Sequence, residues 1–240
     1  MIPLPLRDNL PHRGWPAVTL GIIVVNALVW VLQLGHGVNL SVLDYGLIPA
    51  WLLGGLRDGP LIVQGIGQVW LHQEVPVPLT LVTSMFMHAS WLHLIGNLWF
   101  LWIFGDSVEA AMGPVKFALF YLACGLAAAT AQVLSATGST VPVVGASGAI
   151  AGVLGAYALL YPRARVRCLW ILIIFVTFVD VRAWLLLGFW FVSQLLLPGP
   201  GVAWVAHVGG FLTGLALVAL FAARGPRRTP PVPWEPRYGS

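Results

Sequence analysis

Long apolar stretches, separated by segments rich in polar residues, glycine or proline, dominate the pattern of this chain. Six of them are predicted to cross a membrane as helices, since a spanning helix needs about 20 mostly apolar residues. They cover roughly residues 17–34, 91–112, 116–135, 147–161, 183–197 and 203–223. Gly113-Pro114 is expected to end the second, and Pro198-Gly199-Pro200 follows the fifth. The pattern therefore predicts an all-α polytopic membrane protein with six transmembrane helices.

Two regions between these stretches are predicted not to span. Residues 35–90 form a long first loop, rich in glycine and proline, in which short helices at the membrane interface are expected. Residues 168–179 are strongly apolar, but at 1.5 Å per residue they reach only about 18 Å, against about 30 Å of hydrocarbon. This segment is therefore expected to be an interfacial or re-entrant piece.

Composition and charge agree with this organisation. The chain is 59% hydrophobic and only 8% charged, whereas soluble domains carry about 25% charged residues. With six spans and a cytoplasmic N-terminus, eleven of the 12 Lys and Arg residues face the cytoplasm and Arg57 alone faces outside, as the positive-inside rule requires. No basic patch interleaved with aromatic residues suggests a nucleic-acid partner. The cytoplasmic set is Arg7, Arg13, Lys116, Arg163, Arg165, Arg167, Arg182, Arg224, Arg227, Arg228 and Arg237.

The same pattern divides the chain into three parts. Residues 1–16 are expected to be a short cytoplasmic N-terminus, residues 17–224 a membrane domain whose first span is a signal anchor, and residues 225–240 a basic, proline-rich cytoplasmic tail. Cys124 and Cys168 lie in apolar stretches and indicate neither a disulfide framework nor a metal site. No metal or other cofactor is predicted.

Polar residues inside spans are costly, so each is a candidate functional residue. The candidates are His88, His93, Asn97, Ser147 and His207. Counted along each helix from its cytoplasmic end, Asn97, Ser147 and His207 all lie about 24–25 Å up. Three residues on three helices are therefore expected at one level, just below the outer surface of the membrane.

These residue types at one level predict nucleophilic catalysis. A serine hydroxyl is a weak nucleophile until a base, usually histidine, takes its proton, and Ser147 with His207 would supply that pair. The resulting oxyanion needs donors already in place. His93 and Asn97 share a helix face, and both can donate hydrogen bonds. The backbone amides of Ser147 and Gly148 lie at a helix N-terminus, which carries a partial positive charge.

Glycines are predicted to let the helices carrying Ser147 and His207 approach closely. Gly148 and Gly152 form a small-residue face on one helix, and Gly210 and Gly214 form one on the other. A serine side chain is short, so a direct hydrogen bond to histidine needs such an approach. The predicted packing glycines are Gly145, Gly152, Gly209, Gly210 and Gly214.

These motifs resemble those of rhomboid intramembrane proteases. They are His88-x4-His93-x3-Asn97, Gly145-x-Ser147-Gly148, and Ala206-His207-x-Gly209-Gly210-x3-Gly214, and the resemblance covers nearly all of residues 15–224. It implies a rhomboid-like bundle of six helices with a long first loop and a Ser–His dyad without an aspartate. It also implies an oxyanion site matching His93, Asn97 and the amide of Ser147, no cofactor, and membrane-protein substrates cut near the outer face.

The sequence departs from the family pattern at two places. Some bacterial members carry Trp-Arg in the first loop, where this chain has Trp70-Leu71. Some members place a tyrosine four residues after the serine, stacked on the catalytic histidine, where this chain has Ala151. Another side chain must therefore orient His207, or the imidazole is held more loosely.

Two other kinds of intramembrane protease do not fit these residues. A zinc intramembrane protease would need His-Glu-x-x-His, which the chain lacks. An aspartyl protease would need two membrane aspartates, and Asp106 and Asp180 are both expected at cytoplasmic ends. The main alternative is a non-catalytic rhomboid-like binder of transmembrane helices, which usually lacks the serine or the histidine. The expected location is the cytoplasmic membrane of a bacterium, and the sequence leaves the substrate and the oligomeric state open.

Overall fold

The structure, a computed structural model, describes residues 3–11, 14–54, 58–63, 67–172, 175–197, 199 and 201–222. Arg13, Arg57 and the predicted tail 225–240 lie outside the described residues. The helices are α1 Ala17–His36, α2 Val38–Tyr45, α3 Pro49–Gly54, α4 Thr80–Thr83, α5 Trp91–Met112, α6 Pro114–Ser135, α7 Ser147–Leu160, α8 Ala183–Leu196 and α9 Trp204–Phe221. The strands are β1 Leu4–Asp8, β2 Asp58–Val63, β3 Gly67–His72, β4 Arg165–Leu172 and β5 Phe175–Arg182.

A helix occupies each of the six predicted spanning segments, with ends set by local sequence. Ser90 caps α5, where its Oγ accepts a hydrogen bond from the amide of His93 at 3.1 Å. Gly113, with φ +82°, ends α5, and Pro114 opens α6 at the first helical position, where its missing N–H costs nothing. The Gly113-Pro114 break was predicted from sequence.

Three of these helices, α1, α6 and α9, are by themselves long and apolar enough to cross a membrane. Helix α5 meets the same criterion together with the preceding segment Val77–Phe86, from which it is bent by 77°. Helices α7 and α8 are apolar but have only 14 residues each. The described part of the chain is therefore a mostly helical membrane protein with three to four spans by length and composition.

The fold is mostly helical, as predicted, but it also contains strands that the all-α prediction did not include. Strands β1, β4 and β5 form a three-stranded antiparallel sheet, which includes residues 168–172 and 175–179 of the segment that was predicted to be interfacial or re-entrant. In β4 the side chains alternate: Val166 and Cys168 are buried, while Arg165 points outward. This period of two, over a segment too short to span, favours a strand, and the N-terminal residues 4–8 provide its second partner.

The segment between α1 and α5 contains the short helices α2 and α3 and the antiparallel pair of strands β2 and β3. Leu43, Ile48 and Trp51 are buried together and give this region its own small core. An isolated bridge between Leu47 and Val143 joins the loop to the segment before α7. The predicted short helices are therefore present, and an antiparallel pair of strands accompanies them.

Helix α7 is the centre of the bundle. Most of its glycine, alanine and aliphatic residues are buried, against α5, α6, α8 and α9. A Cβ on Gly210 or Gly214 of α9 would overlap the backbone carbonyl of Gly148 or Gly152 of α7. The two helices are thus in backbone contact, which only glycine permits at these positions.

Asp8, at the end of β1, ties the sheet to the bundle. Its Oδ2 accepts hydrogen bonds from Tyr157 Oη at 2.6 Å and from Ser107 Oγ at 3.2 Å. Burial nevertheless raises the pKa of this carboxyl above its usual value of 3.8. The folded state therefore holds the proton more tightly than the unfolded state does.

This pKa predicts how the Asp8→Asn variant behaves. Because the pKa of Asp8 is higher in the folded state than in the unfolded state, protonated Asp8 contributes stability. This contribution is fully present at a pH below the unfolded-state pKa, and it is lost as the pH rises through the folded-state pKa. Since asparagine cannot ionise, the variant should gain melting temperature relative to the wild type between about pH 4 and neutral pH. Thermal melting of both proteins in detergent measures the difference. A difference that does not change with pH, or that changes with the opposite sign, contradicts this role.

Candidate active site

Ser147 is the first residue of α7. The preceding Gly145 has φ +124°, a left-handed conformation that L side chains rarely adopt, and it turns the chain into the helix. Since the first amides of a helix have no partner within it, the amides of Ser147 and Gly148 are available at this end. The side chain of Ser147 therefore lies beside backbone N–H donors and the partial positive charge of the helix N-terminus.

His207 lies in the first turn of α9, opposite Ser147. Its Nε2 is 2.7 Å from Ser147 Oγ, although the two residues are 60 positions apart in sequence. The backbone contact between α7 and α9 makes this distance possible, because a serine side chain extends only one bond beyond Cβ. The pair is partly buried.

The other ring nitrogen of His207 has a partner that sequence reasoning missed. Nδ1 lies 2.7 Å from Oε1 of Gln194 on α8. Trp190, one turn earlier on α8, has its ring centroid 6.0 Å from the imidazole. Ala151, at the position where some family members carry a stacking tyrosine, is fully buried within α7. The sequence could have indicated a role for Gln194, because it is a polar residue in an otherwise apolar helical segment.

His93 lies beside Gly145, two residues before Ser147. A Cβ built on Gly145 would lie 2.6 Å from His93 Nε2 and 3.6 Å from Ser147 Oγ. The imidazole of His93 therefore covers Gly145, and any larger residue at this position would push it away. Gly145 was predicted to pack between helices. In the structure it instead lies in the turn before α7, where the absence of a side chain makes room for His93.

Asn97 is buried one turn further along α5, with 8% of its surface exposed. Its Nδ2 lies 3.0 Å from His88 Nε2. Because an amide NH₂ carries two hydrogens, one can be held by His88 and the second remains for another acceptor. Sequence analysis left the role of His88 open, and in the structure it is the hydrogen-bond partner of Asn97.

His88 itself is held from α1. Its amide donates to Gln33 Oε1 at 2.9 Å, and its carbonyl accepts from Gln33 Nε2 at 3.0 Å. His88 is fully buried, so both of these backbone groups need a protein partner. A chain of contacts thus runs from α1 through His88 to Asn97.

The remaining predicted packing glycines also lie at close contacts. A Cβ on Gly209 would lie 2.7 Å from Ala131 Cβ of α6, and one on Gly152 would approach Cys124 of the same helix. Gly148 would meet Ala128 Cβ at 2.7 Å. Helix α6 therefore packs closely on both α7 and α9 at the level of the Ser147–His207 pair.

Ser147, His207 and Asn97 lie slightly closer to the C-terminal ends of their helices than the sequence suggested. Ser147 is 13 residues from the end of α7 at Leu160, or about 20 Å. His207 lies about 21 Å from the end of α9 and Asn97 about 22 Å from the end of α5. The three distances agree within about 3 Å, and α7 ends at Leu160, three residues before Arg163.

The apolar helices define an integral membrane protein, and within it a serine at the start of α7 contacts a histidine in the first turn of α9. The family model described as Rhomboid domain matches residues 76–224, and the chain belongs to the rhomboid family. It is also similar to Rhomboid-like protein 11, chloroplastic, of Arabidopsis thaliana, with 32% identity over 103 residues. The aligned region is 43% of this chain and 31% of that protein, so the chain spans about a third of the relative's length.

Proposed function

We propose that this protein is an intramembrane serine endopeptidase that cleaves transmembrane proteins through a dyad of Ser147 and His207. The 2.7 Å contact between Ser147 Oγ and His207 Nε2 carries the proposal. A hydroxyl at this distance from an imidazole nitrogen can pass it a proton as it attacks a carbonyl. Membership of the rhomboid family is the second support.

In this mechanism His207 acts first as a base and then as an acid. Its Nε2 takes the Ser147 proton while Oγ attacks the carbonyl carbon of the scissile bond. The imidazolium then gives the proton to the leaving amine, which produces an acyl-enzyme on Ser147. A water molecule, deprotonated by His207 in the same way, releases the second product and restores the serine.

The oxyanion of each tetrahedral intermediate would be bound by donors on two helices. The amides of Ser147 and Gly148 point out of the start of α7, and His93 and Asn97 face the same side of α5. The position of His93 against Gly145, two residues before Ser147, and the second amide hydrogen of Asn97 support these roles. No cofactor is needed for this chemistry.

The proposed arrangement in the membrane has six spans within residues 17–224 and both termini in the cytoplasm. The helices α7 and α8 would count as spans shortened at their outer ends, where water can enter. The helix distances then put Ser147 roughly 10 Å below the outer surface of a hydrocarbon core about 30 Å thick. We propose the cytoplasmic membrane of a bacterium as the location.

A substrate helix hides its carbonyls in backbone hydrogen bonds, so attack requires an unwound segment at this level. Glycine, proline and β-branched residues lower the cost of unwinding. Access is proposed to be lateral, with the first loop and α8 as movable walls. Cleavage is expected within roughly two helical turns of the substrate's outer boundary, next to a small residue.

Membrane proteomics on cells that produce the intact chain or the Ser147→Ala variant tests this function. We expect new peptide ends in transmembrane proteins near the outer boundary, found only with the intact chain and mapped by mass spectrometry. Replacing the helix breakers of a cleaved substrate by leucine should suppress the cut without changing its insertion. Cuts at the cytoplasmic boundary would contradict the topology. Capture of the same membrane proteins by both chains, with no new ends, would favour the non-catalytic binder.

A further inference from the structure

Gln194 is a polar residue in α8, whose other residues are almost all apolar. Its side chain lies beside the imidazole of His207. Its Oε1 lies 2.7 Å from Nδ1. Such a residue is costly in a membrane helix unless its amide is hydrogen bonded. The contact is made to the ring nitrogen that does not face Ser147, so it leaves the dyad itself free.

The hydrogen bonds behind Gln194 fix which end of its amide faces the histidine. The hydroxyl of Ser193 donates to the backbone carbonyl of Trp190 at 2.6 Å, and a carbonyl can only accept. The lone pairs of Ser193 Oγ are then left to accept from Gln194 Nε2, at 3.4 Å. The NH₂ end of the amide therefore faces Ser193, and the oxygen faces His207.

The orientation of the Gln194 amide determines which ring nitrogen of His207 carries the proton. An amide oxygen can only accept, so Nδ1 of the neutral imidazole must carry the hydrogen. Nε2 then has the free lone pair and accepts from Ser147 Oγ, which is the tautomer a general base requires. With the opposite tautomer Nε2 would carry the proton and could not take another from the serine.

We propose that Gln194 is a positioning residue that holds His207 in the base-competent tautomer and ring orientation, with Trp190 packed beside the ring. The proposal rests on the proposed protease function and extends it. It answers the departure at Ala151, since support for the imidazole comes from α8 instead of α7. It also makes the dyad depend on α8: a displacement that lengthens the Gln194–His207 contact beyond hydrogen-bond range releases the histidine.

The test compares two substitutions of similar size in the full-length protein in detergent. Gln194→Met removes the acceptor and keeps the shape, whereas Gln194→Glu keeps an acceptor oxygen at the same reach. The readout is the rate at which a fluorophosphonate probe labels Ser147, measured over a range of probe concentrations. We expect Gln194→Met to lower the maximal labelling rate about 10- to 100-fold with little change in probe binding, as for loss of one hydrogen bond to a charged group. Gln194→Glu should stay within about tenfold of the wild type.

A second readout does not depend on catalysis. Nitrogen-15 NMR of ring-labelled histidine distinguishes the two neutral tautomers, and the His207→Ala variant assigns the signal. The wild type and Gln194→Glu should show a protonated Nδ1, and Gln194→Met should show a mixture. Leu195→Met, on the exposed side of the same turn of α8, is the matched control and should match the wild type in both measurements.

The outcomes separate the two proposals. Equal labelling rates in Gln194→Met and the wild type, or equal loss in Gln194→Met and Gln194→Glu, would overturn the positioning role. An unchanged tautomer in Gln194→Met would overturn it as well. If the wild type is not labelled at Ser147 while the tautomer responds to Gln194 as described, the protease function fails and the positioning of His207 stands.

Discussion

Alanine at Ser147 or at His207 is expected to abolish cleavage of transmembrane substrates while the protein still folds. Each change removes one partner of the 2.7 Å pair, either the nucleophile or the base that activates it. A loss on the order of 10⁴–10⁶-fold in kcat is expected, because residues that act as a unit lose nearly everything when one is removed. The measurement is the cleavage rate of a purified single-span substrate in lipid.

The double variant provides the sharper part of this test. Ser147→Ala combined with His207→Ala should be no slower than either single variant, since the pair contributes only when both members are present. Ser135→Ala, at an exposed serine at the end of α6, should leave the rate unchanged. Substantial cleavage by purified Ser147→Ala would refute the assignment of the nucleophile.

Removal of an oxyanion donor is expected to have the next largest effect. Asn97→Ala should lower kcat by about 10²–10³-fold with KM nearly unchanged, because the donor acts on a charge that exists only in the transition state. His93→Ala should behave in the same way. Steady-state kinetics over a range of substrate concentrations separates the two constants.

His88→Ala serves as the comparison for Asn97. Its ring accepts from the Asn97 amide at 3.0 Å and so orients the donor without being one. We therefore expect a smaller loss of kcat than in Asn97→Ala, and little further loss when the two changes are combined. A change confined to KM in Asn97→Ala would instead assign that residue to substrate binding.

The helices and the motif residues were predictable because both depend on information that is local in sequence. The length of an apolar stretch decides whether it forms a long helix, and Gly113-Pro114 ends one helix and begins the next within two residues. Helix rise along each segment predicts that Ser147, His207 and Asn97 lie at one level, whatever the packing of the helices. The small residues at positions 148, 152, 210 and 214 likewise indicated that two helices come into close contact.

Partners that are distant in sequence were decided only by the tertiary structure. The strand β4 pairs with β1 across about 160 positions, and hydropathy along the chain carries no record of such pairing. Glu109 was visible as a polar residue near the end of α5, but its role in accepting hydrogen bonds from the amides of Val18 and Thr19 at the start of α1 was not.

For the Ser147–His207 pair, too, the sequence predicted some features and the tertiary structure decided others. The sequence predicted a pair of Ser147 and His207, and its resemblance to rhomboid proteases drew attention to Ala151, where some members carry a tyrosine. Only the packing of α8 against α9 brought Gln194 within 2.7 Å of His207. The physical reason is that hydrophobic periodicity fixes which face of a helix is buried, whereas a hydrogen bond needs two particular atoms within about 3 Å, and that is set by how the helices cross.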